Sequence, residues 1–188
     1  MKSRRTVAVV LCTAGMLAVL SLAAQTKPAH VHIPVVPARA EDVRSPEALV
    51  LADYECISGG VGVARQWGRD LALYDPHAYF VDMGTDPKTG AVVKQVMTPQ
   101  EYADGGGARL VSGGFSEREL AHVTHRFGNV ATVLSSYESK SAASGKMVAR
   151  GVNIYQTYFD GKRWWIASVV WDEERPGNPI PPELLPKR

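Results

Sequence analysis

Asp82 closes an apolar run from His77 to Met83 and is the carboxylate best placed for proton transfer. A carboxylate held in apolar surroundings has a raised pKa and can take up and return a proton. The competing reading is a solvated acid that starts the next loop. His125 alternates with Val123 and Phe127, which predicts an inward face and a proton carrier or ligand donor, or else a core histidine bonded to a neighbour. His122 and His125 are even and odd members of one strand, so they point to opposite faces and cannot share a metal ion. No Cys-His spacing suits zinc, so no metal site is expected. Gly105-Gly106-Gly107 lacks the strand before it and the Gly-Lys-Ser/Thr after it that a phosphate loop requires, and reads as a helix end. No cofactor is expected.

Polar groups recur among apolar neighbours towards the C-terminus: Arg150, Asn153, Tyr155 and Gln156. If Asn153 and Tyr155 face inward with Trp67 and Trp171, they line an amphipathic cavity suited to a small, largely apolar molecule with one or two polar groups. Tyr79, on the strand that carries Asp82, joins these as a ligand-binding candidate. If they face outward, the same residues make a Tyr- and Val-rich sheet surface fit for a dimer interface. Glu117-Arg118-Glu119 reads as a solvated strand start.

These residues need elements to hold them. Ser45-Pro46-Glu47 is a helix start, with a Ser cap, Pro at the first helical position and an acid in the first turn. The helix ends at Ser58-Gly59-Gly60. A second helix spans about 64–74, stopped by Asp75-Pro76, and strands follow at 77–83 and 92–97. Thr98-Pro99-Gln100-Glu101 has capping-box form and opens a third helix that frays at the triple glycine. Strands are then expected at about 117–127, 130–140, 147–159 and 162–172, with Gly128-Asn129 and Asp160-Gly161 as hairpin turns. Strands of this length must twist, bend and carry bulges. The economical architecture is α+β, three helices packed into the concave face of a curved antiparallel sheet.

The N-terminus reads as an export signal. Lys2, Arg4 and Arg5 precede the uncharged run Thr6 to Ala24, and Ser21-Leu22-Ala23 supplies small residues for cleavage. Cleavage would remove residues 1–23 and three basic charges, taking the formal net charge from +2 to −1 and leaving Cys56 as the only thiol. The alternative is an uncleaved anchor, since such a run can just span a bilayer. The expected location is the periplasm or the exterior, with no stable membrane partner once the signal is cut. A balance this even gives no basic stripe for phosphates, which excludes nucleic acid as a partner. Residues 24–44, with Pro28, Pro34 and Pro37, read as an extended linker. Residues 175–188, with five prolines, read as an extended tail that covers the cavity mouth or crosses to a partner subunit.

The order helix, helix, strand pair, short helix, long meander, with Arg69-Asp70-Leu71 and Tyr74-Asp75-Pro76-His77-Ala78 at the helix-to-strand junction, resembles the NTF2-like superfamily, in particular its SnoaL-like and ketosteroid-isomerase-like branches. The resemblance covers about residues 45–174 and implies a cone-shaped α+β domain. It places Asp82 where the isomerase branch carries its general base and Tyr54 near that branch's oxyanion-hole tyrosine. The branch's further acid falls on Tyr155, a departure from the pattern. The resemblance also implies a homodimer through the sheet face. Two functions follow as expectations: binding of a small apolar or amphipathic molecule without catalysis, or a cofactor-free isomerase or dehydratase with Asp82 as base and Tyr54, His125 or Tyr155 as polar partners.

Overall fold

In the computed structural model, which describes residues 30–187, helix α1 (Pro46–Ile57) begins as its cap chemistry dictates. The Ser45 hydroxyl accepts from the Ala48 amide at 3.1 Å and Pro46 opens the first turn. Leu49, Val50, Asp53, Tyr54 and Ile57 fall on one helical stripe and are all buried. Leu49 and Val50 each contribute about 2 kcal/mol by leaving water. The expected export signal, residues 1–23, lies outside the described residues.

Helix α2 (Trp67–Leu71) is shorter than its sequence pattern. Leu73 leaves the helix to accept from the Ile166 amide, and Tyr74 already belongs to strand β1 (Tyr74–Thr85), which pairs with β2 (Val92–Met97). Pro76 sits within β1 and cannot donate to a ladder, and the pairing of β1 with the last strand slips between Tyr74 and Tyr79.

Helix α3 (Pro99–Gly113) has the expected capping box between Thr98 and Glu101. It does not fray at the triple glycine but runs on to Gly113, and Gly114, at φ +63°, ends it. Packing overrides propensity here: Gly107 is buried against the Trp67 ring, where a Cβ would lie 3.4 Å away in ordinary contact, so tertiary packing on α2 holds the helix through this position. Ile57, Trp67, Ala103 and Leu110 form the small core that joins the three helices.

Strands β3 (Phe115–Phe127), β4 (Val130–Ser141), β5 (Met147–Phe159) and β6 (Trp164–Glu173) form an antiparallel meander. The whole curved sheet runs β2-β1-β6-β5-β4-β3. It is mixed, not wholly antiparallel as expected, because β1 lies parallel to β6. Hairpin turns fix the sense of strands that follow one another, whereas β1 and β6 meet across most of the chain and their sense is set by α3 and the meander between them. The main core fills the space between α1 and the inner sheet face, through Tyr54, Phe80, Val133, Tyr137, Tyr155 and Ile166.

The described part of the N-terminal flank, residues 30–44, and the C-terminal tail both make contacts with the domain. Val31 exchanges hydrogen bonds with α3, donating to Asp104 at 2.7 Å and accepting from Gln100 at 2.9 Å. Asp42 takes a two-pronged contact from the Arg69 guanidinium, both distances 2.7 Å. The tail neither covers the cavity mouth nor leaves the domain. It folds onto the outer sheet face, where a 3-10 turn at Pro182–Leu184 buries Leu184 and the Ser136 hydroxyl donates to the Leu184 carbonyl. Among the described residues no helix is long and apolar enough to cross a membrane.

Candidate functional site

Sheet register assembles the site. Asp82 on β1 lies opposite Trp171 on β6, which lies opposite Asn153 on β5, so three residues far apart in sequence form one row across the inner face. Two residues along each strand, and so on the same face, Phe80, Val169 and Tyr155 form a parallel row by the same pairing. Helices α1, α2 and α3 close over these rows and leave a cavity of about 260 Å³. Its apolar walls include Ile57, Phe80, Tyr102, Leu110 and Trp171, and five carboxylates reach it: Asp53, Asp70, Asp82, Glu117 and Glu173. Tyr102, Phe80 and Trp171 pack edge to face against one another, with centroids 5.6 to 6.3 Å apart, which fixes their orientation.

The deep end is a buried acid pair. Asp53 accepts from the Tyr74 hydroxyl at 2.7 Å and from the Tyr155 hydroxyl at 2.6 Å. Asp70 hydrogen-bonds to the same carboxylate. Desolvation raises both acids, and Asp70 is the one held protonated: the charge on Asp53 opposes its ionisation, while the two tyrosines favour the ionised form of Asp53. Asp70 is 1% exposed, and its Oδ1 has no hydrogen-bond partner among the described residues.

Glu117 is the chemically most distinctive member. Burial in the cavity wall, with repulsion from Asp53 and Glu173, pushes its carboxyl up to about 8, against a pull from an Asn153 hydrogen bond. Asp82 is half-buried, and desolvation raises it too, opposed by a hydrogen bond from Trp171. Glu173 is raised by desolvation and by Asp82 and Asp172.

Of the residues singled out from sequence, Asp82, Asn153, Tyr155 and Trp171 meet in this cavity. Tyr155 spends its hydroxyl on Asp53. Tyr54 and Trp67 are buried beside the cavity and do not line it. The Tyr54 hydroxyl accepts from Asn153 at 3.1 Å and lies 2.8 Å from Ser135, whose own proton goes to Glu119, so Tyr54 donates to Ser135. Both its hydrogen-bonding directions are therefore committed. Tyr79 is 48% exposed and faces away from the cavity.

His125 does not face inward. A bulge at Leu120, between the pairs Glu119–Tyr137 and Ala121–Ser136, shifts the alternation of β3 by one. Phe115, Glu117 and Glu119 face inward before it, and His122 and Thr124 after it, opposite buried Ser135 and Val133. Val123, His125 and Phe127 are turned to the outer face, where Phe127 is 87% exposed. Glu117 faces inward as well, although the charged run Glu117-Arg118-Glu119 reads as a solvated strand start. The signal that could have found it is its period-two relation to Phe115. Asp53 was also missed, and its signal is its place on the buried stripe of α1, four residues after Leu49 and four before Ile57. Among the described residues, no group of three or more His, Cys, Asp or Glu is arranged to hold a metal ion.

No protein-family profile matches the sequence, and no curated protein is similar to it at a significant level. Solved structures are similar in fold. A protein of unknown function with a cystatin-like fold from Nostoc punctiforme superposes with a TM-score of 0.50 at 9% identity, over 70% of this chain and 94% of that one. The fold is an α+β cone of this kind, a curved sheet closed over by helices. An NTF2-like protein of unknown function from Methylobacillus flagellatus superposes with a TM-score of 0.47 at 10% identity, over 69% and 89% of the two chains. A ketosteroid isomerase-like protein from Parabacteroides distasonis gives 0.44 at 13%, over 74% and 96%. At these identities the NTF2-like likeness is one of fold alone, and function has to be argued from the cavity.

Proposed function

We propose that this NTF2-like domain binds a small, largely apolar molecule in its cone. The observation that carries the reading is the cavity itself, about 260 Å³ between the helices and the inner sheet face, with fixed aromatic walls and convergent polar groups. That volume lies at the small end of ligand pockets, which suits a small ligand. Benzyl alcohol is a probe of the right size. Titrated into the isotope-labelled full chain, it should shift the NMR signals of the Trp171 indole N–H and the Asn153 side-chain amide. Unmoved signals at both, with probe in large excess, would sink the reading.

A second reading is cofactor-free proton transfer, as in an isomerase or dehydratase. It is favoured by Glu117, whose carboxyl, pushed up to about 8, can hold or release a proton near neutrality, with half-buried Asp82 in the same cavity. Here Glu117 replaces Asp82 as the leading acid–base group. The test is exchange of the α-protons of cyclohexanone in heavy water, followed by NMR. Acceleration by the wild type that Glu117→Gln abolishes supports catalysis, and no acceleration over buffer rejects it for enolisable ketones.

A further inference from the structure

The cavity is short of positive charge. Five carboxylates line it, and the single basic side chain among the lining residues, Arg109, is exposed and makes no ion pair with any of them. The remaining buried acid, Asp42, has a cation: the Arg69 guanidinium lies 2.7 Å away. Buried carboxylates without a counter-charge are costly, and structures normally pair them.

A second, independent observation points to a donor in the same place. Asp70 is 1% exposed, lines the cavity, and has one carboxyl oxygen, Oδ1, with no hydrogen-bond partner among the described residues. Its other interaction, with Asp53, uses its proton, so the unpartnered atom is an acceptor. The lining also presents the aromatic rings of Tyr102, Tyr137 and Trp171, whose faces attract cations.

Resting on the reading of the cone as a small-molecule site, we infer that its ligand is an organic cation: a protonated amine on a small apolar or aromatic body. The ammonium group enters the deep end, donates to Asp70 Oδ1, and supplies the charge that Glu117 and Asp53 lack. The apolar body lies against Trp171, Tyr102 and Phe80. An anion of the same shape is repelled by the same carboxylates. Consistently, all five acids are raised chiefly by desolvation, so a bound cation would favour their ionised forms.

The experiment compares three probes of one shape, benzylamine, benzyl alcohol and benzoate, by calorimetry and NMR on the full chain at mildly alkaline pH, where benzylamine is still charged. The expected result is benzylamine roughly tenfold or more tighter than benzyl alcohol, as a charge-assisted hydrogen bond implies, with benzoate weakest. Glu117→Gln, which keeps shape and removes charge, should cut the preference for the amine over benzyl alcohol. Asp82→Asn makes the same comparison from the half-buried end, should the Gln variant fold poorly. Benzyl alcohol binding as well as the amine would overturn the cation and leave the small-molecule site standing. Failure of all three probes would overturn both.

Discussion

Replacing Glu117 with Gln should make the protein more stable at alkaline pH and leave it unchanged in acid. The carboxyl is ordinarily half-ionised near 4.5 and is pushed up to about 8 by burial in the cavity wall. Below about pH 4.5 both folded and unfolded chains hold its proton, and Glu117 costs nothing. Between there and about pH 8 the folded chain holds a proton that the unfolded chain has released, so stability falls by about 1.4 kcal/mol per pH unit. Above about 8 the loss is complete. It integrates to about 5 kcal/mol, or roughly half that where cavity water screens the charge. Gln carries no charge at any pH and escapes the penalty. The assay is urea denaturation of wild type and Glu117→Gln from pH 4.5 to 9, taking the difference at each pH so that other groups cancel. A difference that opens in favour of Gln as pH rises, reaching about 2 to 5 kcal/mol, is expected. Two parallel curves would show that Glu117 titrates normally and that the burial argument is wrong.

Two further substitutions test the packing around the site. Tyr155→Phe strips one of the two tyrosine donors from Asp53 and leaves a buried carboxylate oxygen unsatisfied, which should cost about 1 to 3 kcal/mol in a denaturant melt. Gly105→Ala should stabilise by about 0.5 to 1 kcal/mol, because the added Cβ meets nothing within 4 Å and the helix continues through this position.

Turn chemistry made most of the fold legible. The strands at 92–97 and 147–159 have the bounds that alternation and flanking turns imply, and the caps at Ser45 and Thr98 start their helices as expected. Features that depend on tertiary contact were not legible. The continuation of α3 through Gly105-Gly106-Gly107 goes with packing of Gly107 against Trp67, 31 residues before the Thr98 cap, and no local rule reports it. The site divides in the same way. Asp82, Asn153 and Trp171 could be placed on strands, but that they form one row is a matter of register between strands distant in sequence. A single extra residue, Leu120, decides that Glu117 and His122 face inward and His125 outward. Alternation alone predicts the opposite for both histidines. Asp53 and Asp70 were hidden because an acid within an apolar helix stripe looks like an interruption until its partners, Tyr74 and Tyr155, are known.

The parallel pairing of β1 with β6 has a consequence for how the chain reaches its native state. The last strand to be synthesised is the one that stands between β1 and β5, so until Glu173 is available the first hairpin and the meander are two sheets with open edges and no shared core. Folding cannot be completed from the N-terminus by local steps. It waits on a contact between residues about 90 positions apart, which places the protein among slow folders of high contact order and makes its incomplete chains, with both strand edges unpaired, the species most prone to aggregate.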